Sequence, residues 1–165
     1  MRKHRYTYHT ALCALLLSLI LIFSACSASG APHALIYRQL APSYQGNSGE
    51  MIRAEHFTPA PGISPVSSVI SQFNSASSDI SLKTPMNEAA YILGYSQSDS
   101  HLRLRVSEGY MLLRGMERTI ADGCAVLTFC SLDGVDSVSI YCGDTLLLSS
   151  KTAADYYILD HSTIS

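Results

Sequence analysis

The sequence predicts an α+β domain in which two helices pack on one face of a mainly antiparallel sheet. Three observations carry that class. Between Met116 and Ser131, the residues Met116, Ile120, Cys124, Leu127 and Ser131 recur at spacings of three and four, the stripe of a helix. Leu102, Leu104 and Val106 alternate with Arg103 and Arg105 after a short polar turn, the pattern of a hairpin strand with one face in the core. The patterned runs follow one another as strand, strand, helix, strand, strand, helix, strand, strand, an order that suits segregated layers. No segment repeats.

Taken in order, Leu35 to Leu40 reads as a first strand and Ser43 to Gly49, with Gly46, Asn47 and Gly49, as a turn or flexible loop. Met51 to Phe57 is a second strand with no cleanly apolar face, which places it at an edge where charges discourage unwanted pairing. Ser64-Pro65 opens a helix, serine as the cap and proline at the first helical position, and Val66, Val69, Ile70 and Phe73 give it one buried face. The polar run from Ser75 to Thr84 reads as a loop. Ala90 to Tyr95 is a strand, Gln97-Ser98-Asp99 the turn into its partner, and Gly109 to Gly115 a connection that offers Tyr110, Met111, Leu112 and Leu113 to solvent. In the helix that follows, Val126, Phe129 and Cys130 widen the apolar stripe until its C-terminal half is covered nearly all round. Asp133-Gly134 stops it, because glycine enters the left-handed region at no steric cost. Val138, Ile140 and Cys142 then face the core while Ser137, Ser139 and Tyr141 face out; Gly143-Asp144 turns the chain into Thr145 to Leu148, and a last strand is expected around Tyr156 to Leu159.

The N-terminus has a different character. Arg2, Lys3 and Arg5 precede an apolar run from Ala11 to Ala25, shorter than the roughly 20 residues that span a bilayer as a helix and suited to a signal-peptide core. Phe23-Ser24-Ala25-Cys26 resembles a bacterial lipobox, with Phe23 where leucine is usual; the resemblance implies cleavage before Cys26 and a diacylglycerol on its thiol. Residues 1–25 are then a lipoprotein signal peptide, 26–34 a tether and 35–160 a single domain. Cleavage leaves 140 of the 165 residues, enough to bury about two-thirds of the unfolded surface without a staple or cofactor. Loss of Arg2, Lys3 and Arg5 leaves 8 Lys and Arg against 13 Asp and Glu, a net of −5. Such a balance argues against nucleic acid and against charge-driven membrane binding, so the lipid on Cys26 does the holding.

The last third of the chain resembles the GerMN domain of the GerM sporulation and spore-germination proteins. Ala125-Val126-Leu127-Thr128-Phe129, Leu132-Asp133-Gly134-Val135-Asp136 and Val138-Ser139-Ile140 stand where that domain has an A-x-V-x-T-L helix, a Gly-Val-Asp turn and a V-x-I strand. Pro85 ahead of the hairpin and Val106-Ser107 at its close are also similar, and the likeness runs from about Leu35 to Leu148. Two positions depart from the pattern: Asn74 to Ser78 stands where a Gly-Pro is usual, and Phe129 replaces a leucine. The resemblance implies an architecture related to ring-building modules, and a lipid-anchored extracytoplasmic protein that assembles with envelope or sporulation-complex proteins or with itself.

Reactive groups are scattered. There is no G-x-S-x-G or S-x-x-K, the histidines outside the signal segment, His33, His56, His101 and His161, form no metal-holding pair, and no glycine-rich phosphate loop occurs. Cys124, Cys130 and Cys142 have neither the number nor the spacing of a disulfide framework or a metal site. The expectation is a non-enzyme without cofactor or metal. Its candidate partner surface is the basic row Arg103 and Arg105 on an acidic chain together with Tyr110 and Met111, residues typical of interfaces. An envelope lipoprotein that binds a small ligand or glycan, or senses for a signalling partner, is the alternative.

Overall fold

In the computed structural model, which describes residues 33–45 and 49–156, seven strands and two helices form an α+β fold. The strands are β1 (Ala34–Leu40), β2 (Ile52–Phe57), β3 (Leu82–Lys83), β4 (Ile92–Ser98), β5 (His101–Val106), β6 (Ser137–Cys142) and β7 (Thr145–Lys151). The helices are α1 (Pro65–Asn74) and α2 (Gly115–Cys130), with short 3-10 turns at Pro42–Tyr44, Glu108–Leu112 and Ala153–Asp155. The expected signal segment, Cys26 and most of the expected last strand lie outside the described residues. No described helix is long and apolar enough to cross a membrane.

The strands divide into two sheets where one was expected, ordered β2-β1-β3 and β4-β5-β6-β7. All pairings are antiparallel except β5 with β6, which run parallel and are joined by a crossover through α2. The division has a local cause. β3 contributes only two residues, beside Gln39 and Leu40, so the rest of that edge of β1 finds no strand partner among the described residues. Side chains at the C-terminal end of α2 supply the missing acceptors: Thr128 Oγ1 takes the Tyr37 N–H at 2.8 Å, and Oγ of Ser131, the residue just past the helix, takes the Leu35 N–H at 3.1 Å. A buried N–H needs some partner, and two hydroxyls at the end of a helix meet that need here.

The core gathers Ile36, Val69, Phe73, Leu102, Leu104, Ala125, Phe129 and Ile140 from both helices and both sheets. Ala34, Ile36, Arg38 and Leu40 face it from alternate positions of β1, so one charged side chain is fully buried in the row. Phe73 and Phe129 meet at 6.1 Å between ring centroids and tie α1 to α2. From Ile120 to Phe129 every residue of α2 is buried, as its all-round apolar character predicts. Gly123 is part of that burial: the Tyr156 ring lies 3.1 Å from where a Cβ would stand.

Several local expectations need correcting. Met116 opens the helical stripe in sequence but is exposed, because α2 begins only one residue earlier, at Gly115. Ser64 occupies the cap position of α1, yet its hydroxyl bonds Tyr95 Oη at 2.9 Å and not the helix N–H groups. Ser139 is buried, its Oγ accepting the Ser150 N–H at 2.9 Å where the β6–β7 register shifts. The hairpin turn falls at Asp99 and Ser100, with Asp99 at a φ of 53°, a conformation aspartate tolerates better than most residues. Residues 75–84 form an ordered return that includes β3, and the thiols of Cys124, Cys130 and Cys142 are free.

Candidate interaction surface

Arg103 and Arg105 stand on the outer face of β5, opposite the buried Leu102 and Leu104, as their alternation predicts. Parallel pairing sets Arg105 beside Tyr141 of β6, and the Arg103 guanidinium lies over the Tyr141 ring at 4.4 Å from its centroid. On the other side, Gly94 leaves room for Arg105: a Cβ there would stand 3.4 Å from Nη2. These side chains line a groove of about 220 Å³ with Ser96, Gly143 and Asp144. Neither arginine has a carboxylate within 4.0 Å among the described residues.

A second, apolar groove of about 630 Å³ shares Gly143 with the first and is lined by Leu93, Val106, Met111, Leu112 and Cys142, with Glu108 at its side. Leu93 is 56% exposed, Met111 41% and Leu112 69%. Leu93 reaches this face through a bulge. Ile92 pairs with Val106 and Gly94 with Arg105, so the extra residue between them turns outward while Ile92 stays buried.

The Glu108–Leu112 turn is what holds Met111 and Leu112 out, and it corrects the reading of Tyr110 as a surface residue. Tyr110 is 0% exposed and donates its hydroxyl to Asp122 Oδ1 at 2.6 Å. In a 3-10 turn side chains three apart share a face, so Tyr110 and Leu113 go in together and Met111 and Leu112 go out. Arg118 completes the anchor, its Nε 2.9 Å and 3.0 Å from the two Asp122 oxygens and its guanidinium over the Tyr110 ring. Burial, with the Asp122 carboxylate beside it, holds the Tyr110 hydroxyl well above the usual phenol range, so it remains a donor. From the other side Ser107 Oγ donates to Ala89 O at 2.7 Å and accepts the Tyr91 N–H at 3.0 Å. Gly109 packs so closely that a Cβ would fall 2.1 Å from the same carbonyl oxygen.

The structure therefore brings Arg103 and Arg105 into one groove and Met111 into a second that shares Gly143 with it, adds Leu112, Leu93 and Tyr141, and removes Tyr110. The sequence reading misses Leu93 because it assigns no face to the strand from Ala90 to Tyr95; Ala90 and Ile92 are buried while Tyr91 and Leu93 are exposed, and the bulge ends that alternation at Gly94. Cys26 lies outside the described residues. His101 Nδ1 lies 2.7 Å from Ser137 Oγ, a cross-strand contact that neither groove reaches. No group of three described His, Cys, Asp or Glu side chains is placed to hold a metal. Comparison with family models, curated proteins and solved structures returned no match.

Proposed function

We propose that this chain is a lipid-anchored extracytoplasmic protein-interaction module, held to the membrane by a diacylglycerol on Cys26 and engaging envelope partners through the face around Gly143. One observation carries the interaction role. Two guanidinium groups with no carboxylate within 4.0 Å among the described residues adjoin an apolar groove whose exposed walls, Met111 and Leu112, are set on a turn anchored in the core. Side chains held in their binding geometry lose little entropy on association, which is what a docking face requires. The GerMN resemblance of Ala125 to Ile140 supports a place for this module in sporulation or germination assembly.

Fractionation of cells that carry the full chain or its Cys26→Ala variant, with co-purifying proteins identified by mass, tests the reading. The anchor predicts that wild type stays with the membrane and the variant is released; a variant retained in the membrane removes the lipid anchor. Sporulation-channel or cortex proteins among the partners support the assembly role, whereas only transport or signalling proteins contradict it. A second reading, binding of a small ligand or glycan, draws on the Tyr141 ring and the Arg103 and Arg105 donors in the smaller groove. Saturable binding of a glycan at that groove, lost in Tyr141→Ala, distinguishes it.

A further inference from the structure

Resting on the interaction reading above, we infer that the partner presents an acidic segment with an apolar anchor: one or two large apolar side chains seated between Leu93 and Leu112, followed by carboxylates that bond Arg103 and Arg105. The two grooves meet at Gly143, so a short continuous segment can cover both. The apolar end is shaped for side chains and not for bare burial, because Val106 and the Cys142 side chain form its floor while Leu93, Met111 and Leu112 stand as walls.

At the polar end the chemistry selects a carboxylate. Each guanidinium offers its N–H donors in a planar fork that matches a carboxylate in two parallel bonds. Arg103 is positioned by the Tyr141 ring, and Arg105 lies over Gly94, where no side chain covers its guanidinium. Two carboxylates line these grooves, Glu108 beside the apolar walls and Asp144 beside the arginines, and neither comes within 4.0 Å of a guanidinium. Asp144 offsets part of the charge of two guanidinium groups, whereas Glu108 has no cation beside it in the apolar groove, so a segment lays its acids over Arg103 and Arg105 and its apolar residues over the Glu108 turn, not the reverse.

A photoreactive benzophenone amino acid placed in the full chain at Leu93, at Leu112, or at Ile80 on the loop before β3, in cells of the native host, tests this. Mass analysis of the cross-linked peptides is the readout. Expected at Leu93 and Leu112 are peptides of another protein in which apolar residues neighbour Asp or Glu, with yield reduced at least about tenfold in Arg103→Glu/Arg105→Glu. Changing the acids of the captured peptide to lysine should restore the yield with that double variant. Cross-links at Leu93 and Leu112 to peptides without acidic residues, or with yield unchanged by the double variant, overturn the inference while the interaction role stands. Cross-links there to lipid, or to a second copy of this chain through a non-acidic stretch, overturn it as well. If no protein is captured from Leu93, Leu112 or Ile80, the interaction reading itself fails.

Discussion

Arg38 is fully buried, and each of the three nitrogens of its guanidinium donates a hydrogen bond. Nε meets Glu55 Oε1 at 3.0 Å, Nη1 bonds the Ser75 and Phe73 carbonyls, and Nη2 bonds the Gln72 carbonyl at 2.8 Å. These carbonyls belong to the end of α1, the groups that a helix leaves without internal partners and where its dipole favours a cation. Replacing Arg38 by methionine strips the carbonyls and Glu55 together, and should cost roughly 3–5 kcal/mol in urea unfolding. Arg38→Lys should recover only part, since one ammonium cannot reach along the same fork. The residue was legible. In Ala34-Leu35-Ile36-Tyr37-Arg38-Gln39-Leu40 the period of two sets Arg38 on the same face as Ile36 and Leu40, and a charge in a core row implies a buried partner. What the sequence could not supply was the partner, 17 residues away on β2.

Glu55 makes the same contact titrate. Burial alone would raise its carboxyl, but hydrogen bonds from Ser77 and Arg38, with the Arg38 charge, outweigh burial and hold it below the ordinary 4.5. The folded chain therefore binds fewer protons at this group than the unfolded one. Its contribution is present above about pH 4.5 and is lost as pH falls through the lower folded value. Urea midpoints measured from pH 7 down to pH 3 should fall at the acid end. In Glu55→Gln the midpoint should start lower at pH 7 and depend less on pH; an unchanged acid slope would show that other carboxyls control it.

Among the elements, the Glu108–Leu112 turn shows what pattern reading resolves and what it leaves ambiguous. The run Tyr110-Met111-Leu112-Leu113 has no charge to say which side chains turn inward, and an exposed reading of all four was available. The 3-10 period decides it, and that period depends on Gly109 fitting beneath the Ala89 carbonyl. Gly109→Ala should force this turn away from the loop before β4, with a loss of about 1–3 kcal/mol in thermal unfolding, the range of an overpacked site. A stability within 0.5 kcal/mol of wild type, about the effect of an ordinary surface substitution, would mean that the turn is not fixed there. The strands fared better, since Leu102, Leu104 and Val106 are buried as their alternation requires. The two-sheet division was not legible, because it rests on Thr128 and Ser131 hydroxyls that replace a strand and carry no periodic signal.

At the scale of the molecule, charge and exposure point to the same face. Outside the basic N-terminal segment the chain is net acidic, yet Arg103 and Arg105 stand on the β4–β7 sheet with no carboxylate within 4.0 Å among the described residues, near the exposed leucines. Half of that face could be read from the sequence: the arginine row and Met111. The rest needed the fold, since only tertiary packing sets Leu93 beside Met111 and Leu112, and Tyr141 meets the arginines by a parallel pairing across the α2 crossover. The most direct measurement is capture of partner proteins by the full chain, wild type beside Arg103→Glu/Arg105→Glu, with thermal unfolding of both recorded. Both arginines are exposed and bear no core contact, so the midpoints should agree while capture is lost. Capture that persists at the wild-type level, in a variant that folds as well as wild type, would contradict the assignment of this face.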